Sequence, residues 1–399
     1  MECTKILYYD RTDIAASPYG DYWRQMKKIC TLELLSEKKV KSFSALRDEE
    51  LGRLCESLES SSGSVVNFTD MVTGMINNVI CRATLGTNYK AQDQAVLIAL
   101  IKDLLVTSGA FNVGEFFPRL KFLNNVLGIK SKWLKIHKEL DRILEDVLED
   151  HKRKGGGEIE RADEDLVDVL LRIKNGAELE SPITFDNVKA VLLDMFAAGT
   201  DTSSATIIWA MAEMMRNQRV LKKAQEDVRE TSRRTETFTE TSTNDYHYLN
   251  LVIKETLRLH APVPLLVPRE CRQQCKIDGY DIPAKTKVVV NAFACALDPD
   301  YWENPESFIP ERFECSSVNF TGNDYEFIPF GAGRRMCPGI TFGTNSVKST
   351  LVTLLYHFDW QLPKGIEPQD INMEESDGIT TTLKVPLLLV PITHSALQN

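Results

Sequence analysis

The chain has 399 residues, 43% of them hydrophobic, and a formal net charge of -10. That size and apolar content exclude a small stapled scaffold and supply core enough for one oversized unit or two domains. The acidic balance argues against a general nucleic-acid binder, which needs a basic surface to neutralise phosphates.

The opening residues, MECTKILYYDRTD, are too polar for a signal peptide, and no apolar run approaches the roughly 18 residues of a membrane span. The nine cysteines are scattered and odd in number, at Cys3, Cys30, Cys55, Cys81, Cys271, Cys275, Cys295, Cys315 and Cys337. Only Cys271 and Cys275 are close, and no second pair or histidine stands where a zinc site needs one. Most are therefore expected to be reduced, buried small hydrophobes. Positive charge gathers at Arg24, Lys27, Lys28, Lys38, Lys39 and Lys41, where a solvated helix face and a docking patch for an acidic partner both fit.

From Ile136, the apolar residues Leu140, Ile143, Leu144, Val147 and Leu148 recur at three- and four-residue steps, which predicts an amphipathic helix. It ends in HKRKGGGEIERADED, a loop between helices rather than domains, because Leu166, Val167, Val169, Leu170 and Leu171 begin another helical run. Thr184 is a candidate N-cap for a segment, 184–215, that is apolar on nearly every side, the pattern of a helix buried through the centre. Its middle, AAGTDTSS at 197–204, exchanges Leu and Met for glycine and poor helix formers. A tolerated defect and a place where a flat ligand meets the backbone beside a hydroxyl both stay open on this pattern. Residues 231–247 read as a polar loop, and YLNLVIKETLRLH as a helix ended by Pro262 and Pro264. KIDGYDIPAKTKVVVNAFA alternates turn residues with β-branched runs, as in a small sheet.

Glu255 and Arg258 are three apart and share a helix face, ordinarily a surface pair worth little. NPESFIPERF at 304–313 raises the alternative that Arg312 joins them in a buried network. FGAGRRMCPG at 330–339 sets Cys337 between an arginine pair and a glycine, without the apolar surround of a structural thiol or a second cysteine at zinc or disulfide spacing. A dinucleotide-binding reading of GAG fails, since Met336 stands where GxGxxG has its third glycine.

Taken in order, AGTDTS at 198–203, ETLR at 255–258, PERF at 310–313 and FGAGRRMCPG resemble the signature set of the cytochrome P-450 superfamily of haem-thiolate monooxygenases. PYGDYWRQMKK at 18–28, VIKETLRLHAPVPLLVPRE at 252–270 and LLYHFDWQLPKG at 354–365 extend the resemblance over nearly the whole chain, toward plant microsomal members that oxidise terpenoids and alkaloids. The resemblance implies a mainly α fold with a small β-sheet region, as one domain over 1–399. It implies heme b (iron protoporphyrin IX), with Cys337 as the proximal ligand whose thiolate favours O–O cleavage. A helix N-terminus after Pro338 and Gly339, with Arg334 and Arg335 beside it, is expected to favour the thiolate. Gly333 and Gly339 let backbone approach the porphyrin, and Phe330 opens the same loop. Arg335, Trp23 and Arg269 match propionate contacts. Lys27 replaces the arginine of the family's WxxxR, keeping the charge and losing the bidentate fork, so slightly weaker haem affinity is expected.

Asp201 and Thr202 match the acid–alcohol pair that guides protons and water to dioxygen. Ala198 and Gly199 match the turn that keeps the helix low over the haem, and Glu255, Arg258 and Arg312 the network that holds the haem-binding core. Substrate-contacting regions match at 261–266, 378–381 and around Phe111 to Phe117, with Ala198, Val263, Leu265, Leu266, Ile379 and Thr380 as candidates. They are apolar or weakly polar, which suits a hydrophobic natural product held by shape.

The implied partners are O2 and an NADPH-cytochrome P-450 reductase, with cytochrome b5 as a further electron donor and a docking face near Lys27, Lys28 and Arg334. The implied location is the cytosolic face of the endoplasmic reticulum membrane. Relatives begin earlier, with an anchor, a hinge and the first helices and strands. A shortened product, soluble or peripheral, with open sheet edges and exposed apolar surface is therefore expected. Leu297 and Ala261 also depart from the family pattern. Asp201 and Thr202 disfavour peroxide rearrangement; oxidative coupling on the same fold and a non-catalytic haem protein are the alternatives.

Overall fold

The structure is a computed structural model, and it describes residues 2–86, 91–109, 117–120, 122–154, 164–176, 179–235 and 245–394. The fold is mainly α, with short strands gathered into small antiparallel sheets, as the resemblance implies. One contiguous apolar cluster draws on residues from Cys3 to Leu389.

A single helix, Phe185–Arg216, runs through that cluster and is buried on nearly all sides. Thr184 starts it as expected, closing a capping box: its Oγ1 accepts from the Asn187 N–H at 3.2 Å, and Asn187 Oδ1 accepts from the Thr184 N–H at 2.9 Å. The polar stretch in the middle does not break the helix. Its hydroxyls turn back on their own backbone, with Thr202 donating to the Ala198 carbonyl at 2.6 Å, Ser204 to Thr200 at 2.9 Å and Thr206 to Thr202 at 2.9 Å. Gly199 answers to a neighbouring helix, Phe68–Leu85, because a Cβ there would come within 2.8 Å of Ile80 Cδ1.

The amphipathic helix expected from Ile136 spans Ile129–Lys154 and buries the six apolar residues that define its period. Of the loop expected at 151–165, residues 151–154 belong to this helix and 155–163 lie outside the described residues; the next helix, Leu166–Gly176, has its start fixed by reciprocal bonds between Asp165 and Asp168. The polar loop expected at 231–247 is partly helix: Gln218–Thr235 continues through its first residues, and Ser232 is buried with its hydroxyl 3.2 Å from Tyr246 Oη.

The expected sheet at 276–294 is smaller than its sequence suggests. Cys275–Ile277 pairs with Tyr280–Ile282 around Asp278 and Gly279, both at positive φ, as a tight hairpin turn requires. Arg269–Glu270 pairs with Lys287–Val288. Ala292–Ala296 is instead a short helix, because Asn291 Oδ1 caps it through the Ala294 N–H at 3.0 Å. Val267, Val289 and Val290 around this sheet are exposed. Only Cys3, Cys30, Cys55 and Cys81 of the nine free cysteines are buried, so most are not the core hydrophobes expected; the later ones lie in loops, an edge strand and the short helix Ala292–Ala296, which the core does not fully cover.

Glu255 lies on the helix His247–Leu259 and is fully buried with Arg258, so the surface-pair alternative falls. Arg258 grips the carboxylate in two bonds of 2.8 Å, while Arg312 Nε and the Ile309 N–H reach Glu255 Oε1 at 3.0 and 2.9 Å. The remaining guanidinium hydrogens go to the carbonyls of Ala296, Pro305 and Ser307 and of Glu303 and Asn304. Glu255→Ala leaves two buried guanidiniums without their carboxylate, and a loss of about 3–5 kcal/mol is expected in urea unfolding; a loss below about 1 kcal/mol would show the network to be dispensable.

Candidate functional site

The loop 330–339 is built to turn twice before delivering its thiol. Gly331 and Gly333 take φ of 71° and 67°, which disfavours any side chain there, and the Cys337 N–H closes the loop onto the Phe330 carbonyl at 3.0 Å. The helix Ile340–His357 follows directly, with no side-chain cap at Gly339. The Gly339 N–H points to the sulfur and lowers its proton affinity, as a helix N-terminus should. Cys337 is deep among protein atoms yet its surface is accessible, which places it on a cavity wall rather than on the outer face.

The expectation that the two arginines stabilise the anion is not met. Burial pushes the Cys337 thiol up, and the groups opposing it are the Gly339 N–H and Lys27. Arg335 turns away: it donates to the carbonyls of Ile14, Ala15 and Ser17 and lies over the Trp23 ring at 4.4 Å. Arg334 is exposed, 4.5 Å above the Tyr19 ring. Trp23 is buried and donates its indole N–H to the Ile14 carbonyl at 3.0 Å. Lys27, one turn on, donates to the Met336 carbonyl at 2.7 Å. Trp23 and Lys27 thus brace the thiol loop from the helix Asp21–Ile29, the first through Arg335 and the second directly.

Arg269 and Arg335 are half-buried, and neither forms a salt bridge among the described residues. Burial pulls both guanidiniums down, and the charge of Arg269 adds to the effect on Arg335.

The central helix presents Ala198 as an exposed residue in the middle of an otherwise buried helix, with Asp201 and Thr202 half-buried one turn on. Exposure there opens an inner face. Burial raises the Asp201 carboxyl, with Lys102 opposing from the helix Ala91–Gly109. Lys102 carries no motif, and nothing in the sequence points to it.

Of the residues matched to substrate contact, Val263, Ile379 and Thr380 are half-buried and Leu265 is exposed. Leu266 departs from the expectation: it is buried with Ala292 and Ile328 beneath the thiol loop, at φ 51°, and its role is packing. Ala261 is buried, Phe117 is exposed, and residues 111–116 lie outside the described residues. A cluster that sequence reasoning missed joins these segments. His260 stacks on Trp209 at 4.0 Å and meets Glu213 at 2.8 Å, while the Thr381 N–H donates to the Pro262 carbonyl at 2.8 Å.

The family model for cytochrome P450 matches residues 3–389. The chain belongs to the cytochrome P450 family. It is 58% identical over 389 residues to costunolide synthase of Cichorium intybus, covering 98% of this chain and 78% of that protein. Germacrene A acid 8-beta-hydroxylase of Inula hupehensis is 54% identical over 396 residues, covering 99% and 79%. Premnaspirodiene oxygenase of Hyoscyamus muticus is 51% identical over 391 residues, covering 97% and 77%. A zebra fish cytochrome P450 solved with abiraterone shares the fold at a TM-score of 0.81 and 21% identity, covering 99% of this chain and 87% of that one.

Cytochrome P450 enzymes are haem-thiolate monooxygenases, and the residues present fit that cofactor. An accessible inner thiol with one N–H directed at it suits an iron ligand. Two half-buried guanidiniums without a carboxylate partner suit the acidic edge of a porphyrin. Ala198, carrying only a methyl group, suits a flat face.

Behind Arg335 lies a second acidic feature. Asp13 and Asp194 are both buried, Asp194 Oδ2 accepts from the Ile14 N–H at 2.6 Å, and burial raises both carboxyls, that of Asp13 to about 6. The folded state therefore holds protons that the unfolded chain releases near pH 4, so the pair's contribution to stability is full below about pH 4 and is lost as pH rises through about 6. Asp194→Asn is expected to raise stability at pH 7 and flatten its decline between pH 4 and 7 in denaturant titrations; an unchanged decline would contradict the shared burial cost.

Proposed function

We propose that this monooxygenase inserts one oxygen atom from O2 into a C–H or C=C bond of a small hydrophobic terpenoid, with electrons from NADPH passed on by a flavoprotein reductase. The observation that carries the reading is the accessible Cys337 thiol on an inner wall, with Ala198, Asp201 and Thr202 opening a polar notch in an otherwise buried helix. The substrate class rests on the relatives, which oxidise plant terpenoids.

When bound, haem supplies oxygen activation, which a thiolate ligand assists by donating electron density. Cys337 is the residue to hold it, with Arg269 and Arg335 toward its propionates and Lys27 fixing the loop at Met336. Burial favours the protonated form of the free Cys337 thiol, and the charge of a bound iron would offset that burial. Asp201, raised by burial, holds a proton more readily than an exposed acid and is suited to release it inward. The Thr202 hydroxyl gives its hydrogen to the Ala198 carbonyl, so its oxygen is free to accept one from water or from Asp201. Val263, Ile379 and Thr380 offer apolar or weakly polar surface, and orientation there comes from shape.

Thr202→Ala is expected to leave haem bound while diverting electrons to hydrogen peroxide, lowering product formed per NADPH several-fold; tightly coupled product formation in that variant would remove Thr202 from the proton path.

The docking face is better drawn at Lys28, Arg272 and Arg334, all exposed, than at Lys27, which is committed to Met336, or Lys39, which is buried against the Glu164 carbonyl. Charge reversal of Lys28 and Arg334 together is expected to raise the reductase concentration at half-maximal turnover, more so at low salt, without changing substrate-induced spectral shifts. Unchanged reductase dependence would place docking elsewhere. We offer the exposed Phe117, Leu120, Phe122, Val126, Leu127 and Leu134 as apolar side chains that suit association with the endoplasmic reticulum membrane. No helix among the described residues is long and apolar enough to cross a membrane.

A further inference from the structure

We propose that Cys271 and Cys275 are a redox modification site that closes into a reversible disulfide through exchange with a small, anionic disulfide. Cys271 directly follows the strand Arg269–Glu270 and extends its pairing: its N–H donates to the Thr286 carbonyl at 2.8 Å, and its carbonyl accepts from the Lys285 N–H at 2.6 Å. Cys275 opens the hairpin strand that pairs with Tyr280–Ile282. Arg272, Gln273 and Gln274 turn the chain between them, so the two sulfurs lie 3.7 Å apart.

Both thiols are free, Cys271 half-buried and Cys275 exposed. A disulfide needs about 2.05 Å between sulfurs, so closing it takes a movement of under about 2 Å. The residues that must move, 272–275, are all exposed and carry no core packing, which keeps that movement inexpensive.

The surroundings select the co-reactant. Arg272, Lys276 and Lys285 are exposed around the turn, against Glu270 and against Asp281, which already meets Lys276 at 3.8 Å. A net basic surround draws a disulfide that carries carboxylates, such as glutathione disulfide, while the neighbouring Cys271 sulfur raises the Cys275 thiol, so the attacking thiolate forms at mildly alkaline pH. Cys275, the more accessible, attacks one sulfur of that disulfide and releases one small thiolate. Cys271 then attacks Cys275 Sγ, its partner at 3.7 Å, and expels the second. The protein loses two electrons and two protons; the small disulfide becomes two thiols. The closed ring fastens the hairpin to the strand that bears Arg269.

The test uses the haem-loaded full chain at mildly alkaline pH. It is held in excess glutathione disulfide, quenched with acid, alkylated and digested with trypsin, which cuts after Arg269, Arg272 and Lys276. Residues 270–272 and 273–276 then emerge joined only if the disulfide has formed. The joined peptide is expected as the main form, and as separate alkylated peptides after prior reduction. Separate peptides in oxidising buffer, alkylated or each carrying glutathione, would overturn the proposal. In Cys271→Ser, Cys275 is expected to accumulate the glutathione adduct that Cys271 otherwise resolves; an unmodified Cys275 there would overturn the order of attack.

Discussion

One buried carboxylate holds the architecture that the chemistry needs. Glu255 sits fully buried between two guanidiniums, and its oxygens also receive the Ile309 N–H. Each arginine spends its other hydrogens on backbone carbonyls between Ala296 and Ser307. A segment almost without regular structure is thereby tied to a helix of the core. The thiol loop follows that segment in the chain, and its aromatic residues pack onward from it: Phe313 on Phe327, and Phe320 on both Phe327 and Phe330. Hydrogen bonds to a buried charge fix position more firmly than packing alone, because leaving any of them unmade carries a desolvation penalty.

The thiol at the end of this support is governed by two opposing effects. Burial favours the neutral form, while the Gly339 N–H and Lys27 favour the anion. The arginines beside it in sequence contribute through structure instead. Arg335 binds three carbonyls of the segment 14–17 and rests on Trp23, so it knits the N-terminal stretch to the thiol loop. Lys27 holds the loop from the other side, and a single hydrogen bond to a carbonyl asks only for a point donor.

Much of this architecture is legible in the amino-acid sequence itself. The central helix shows there because capping and all-round apolarity agree, and the Glu255 network because four motifs stand in one order. The features that escape a reading of the sequence depend on contacts between distant residues. Lys27 meets Met336 across 309 positions, and nothing local to either announces it. Gly199 reads as an adaptation to a flat ligand, yet its missing Cβ also makes room for Ile80. Leu266 belongs to an apolar stretch that reads as lining, and only the left-handed turn at that residue sends it under the loop. The pairing of Glu213 with His260 and the raised carboxyls of Asp13 and Asp194 follow from burial, which no single sequence prints.

Ligation by Cys337 is the claim on which the function rests, and the reduced, carbon-monoxide-bound absorption spectrum of the haem-loaded chain tests it most directly, recorded beside Cys337→Ser. A red-shifted Soret band of the thiolate type in the parent chain, absent from the variant, is the predicted result. The same band retained in Cys337→Ser, or its absence from a parent chain that has taken up haem, would contradict it.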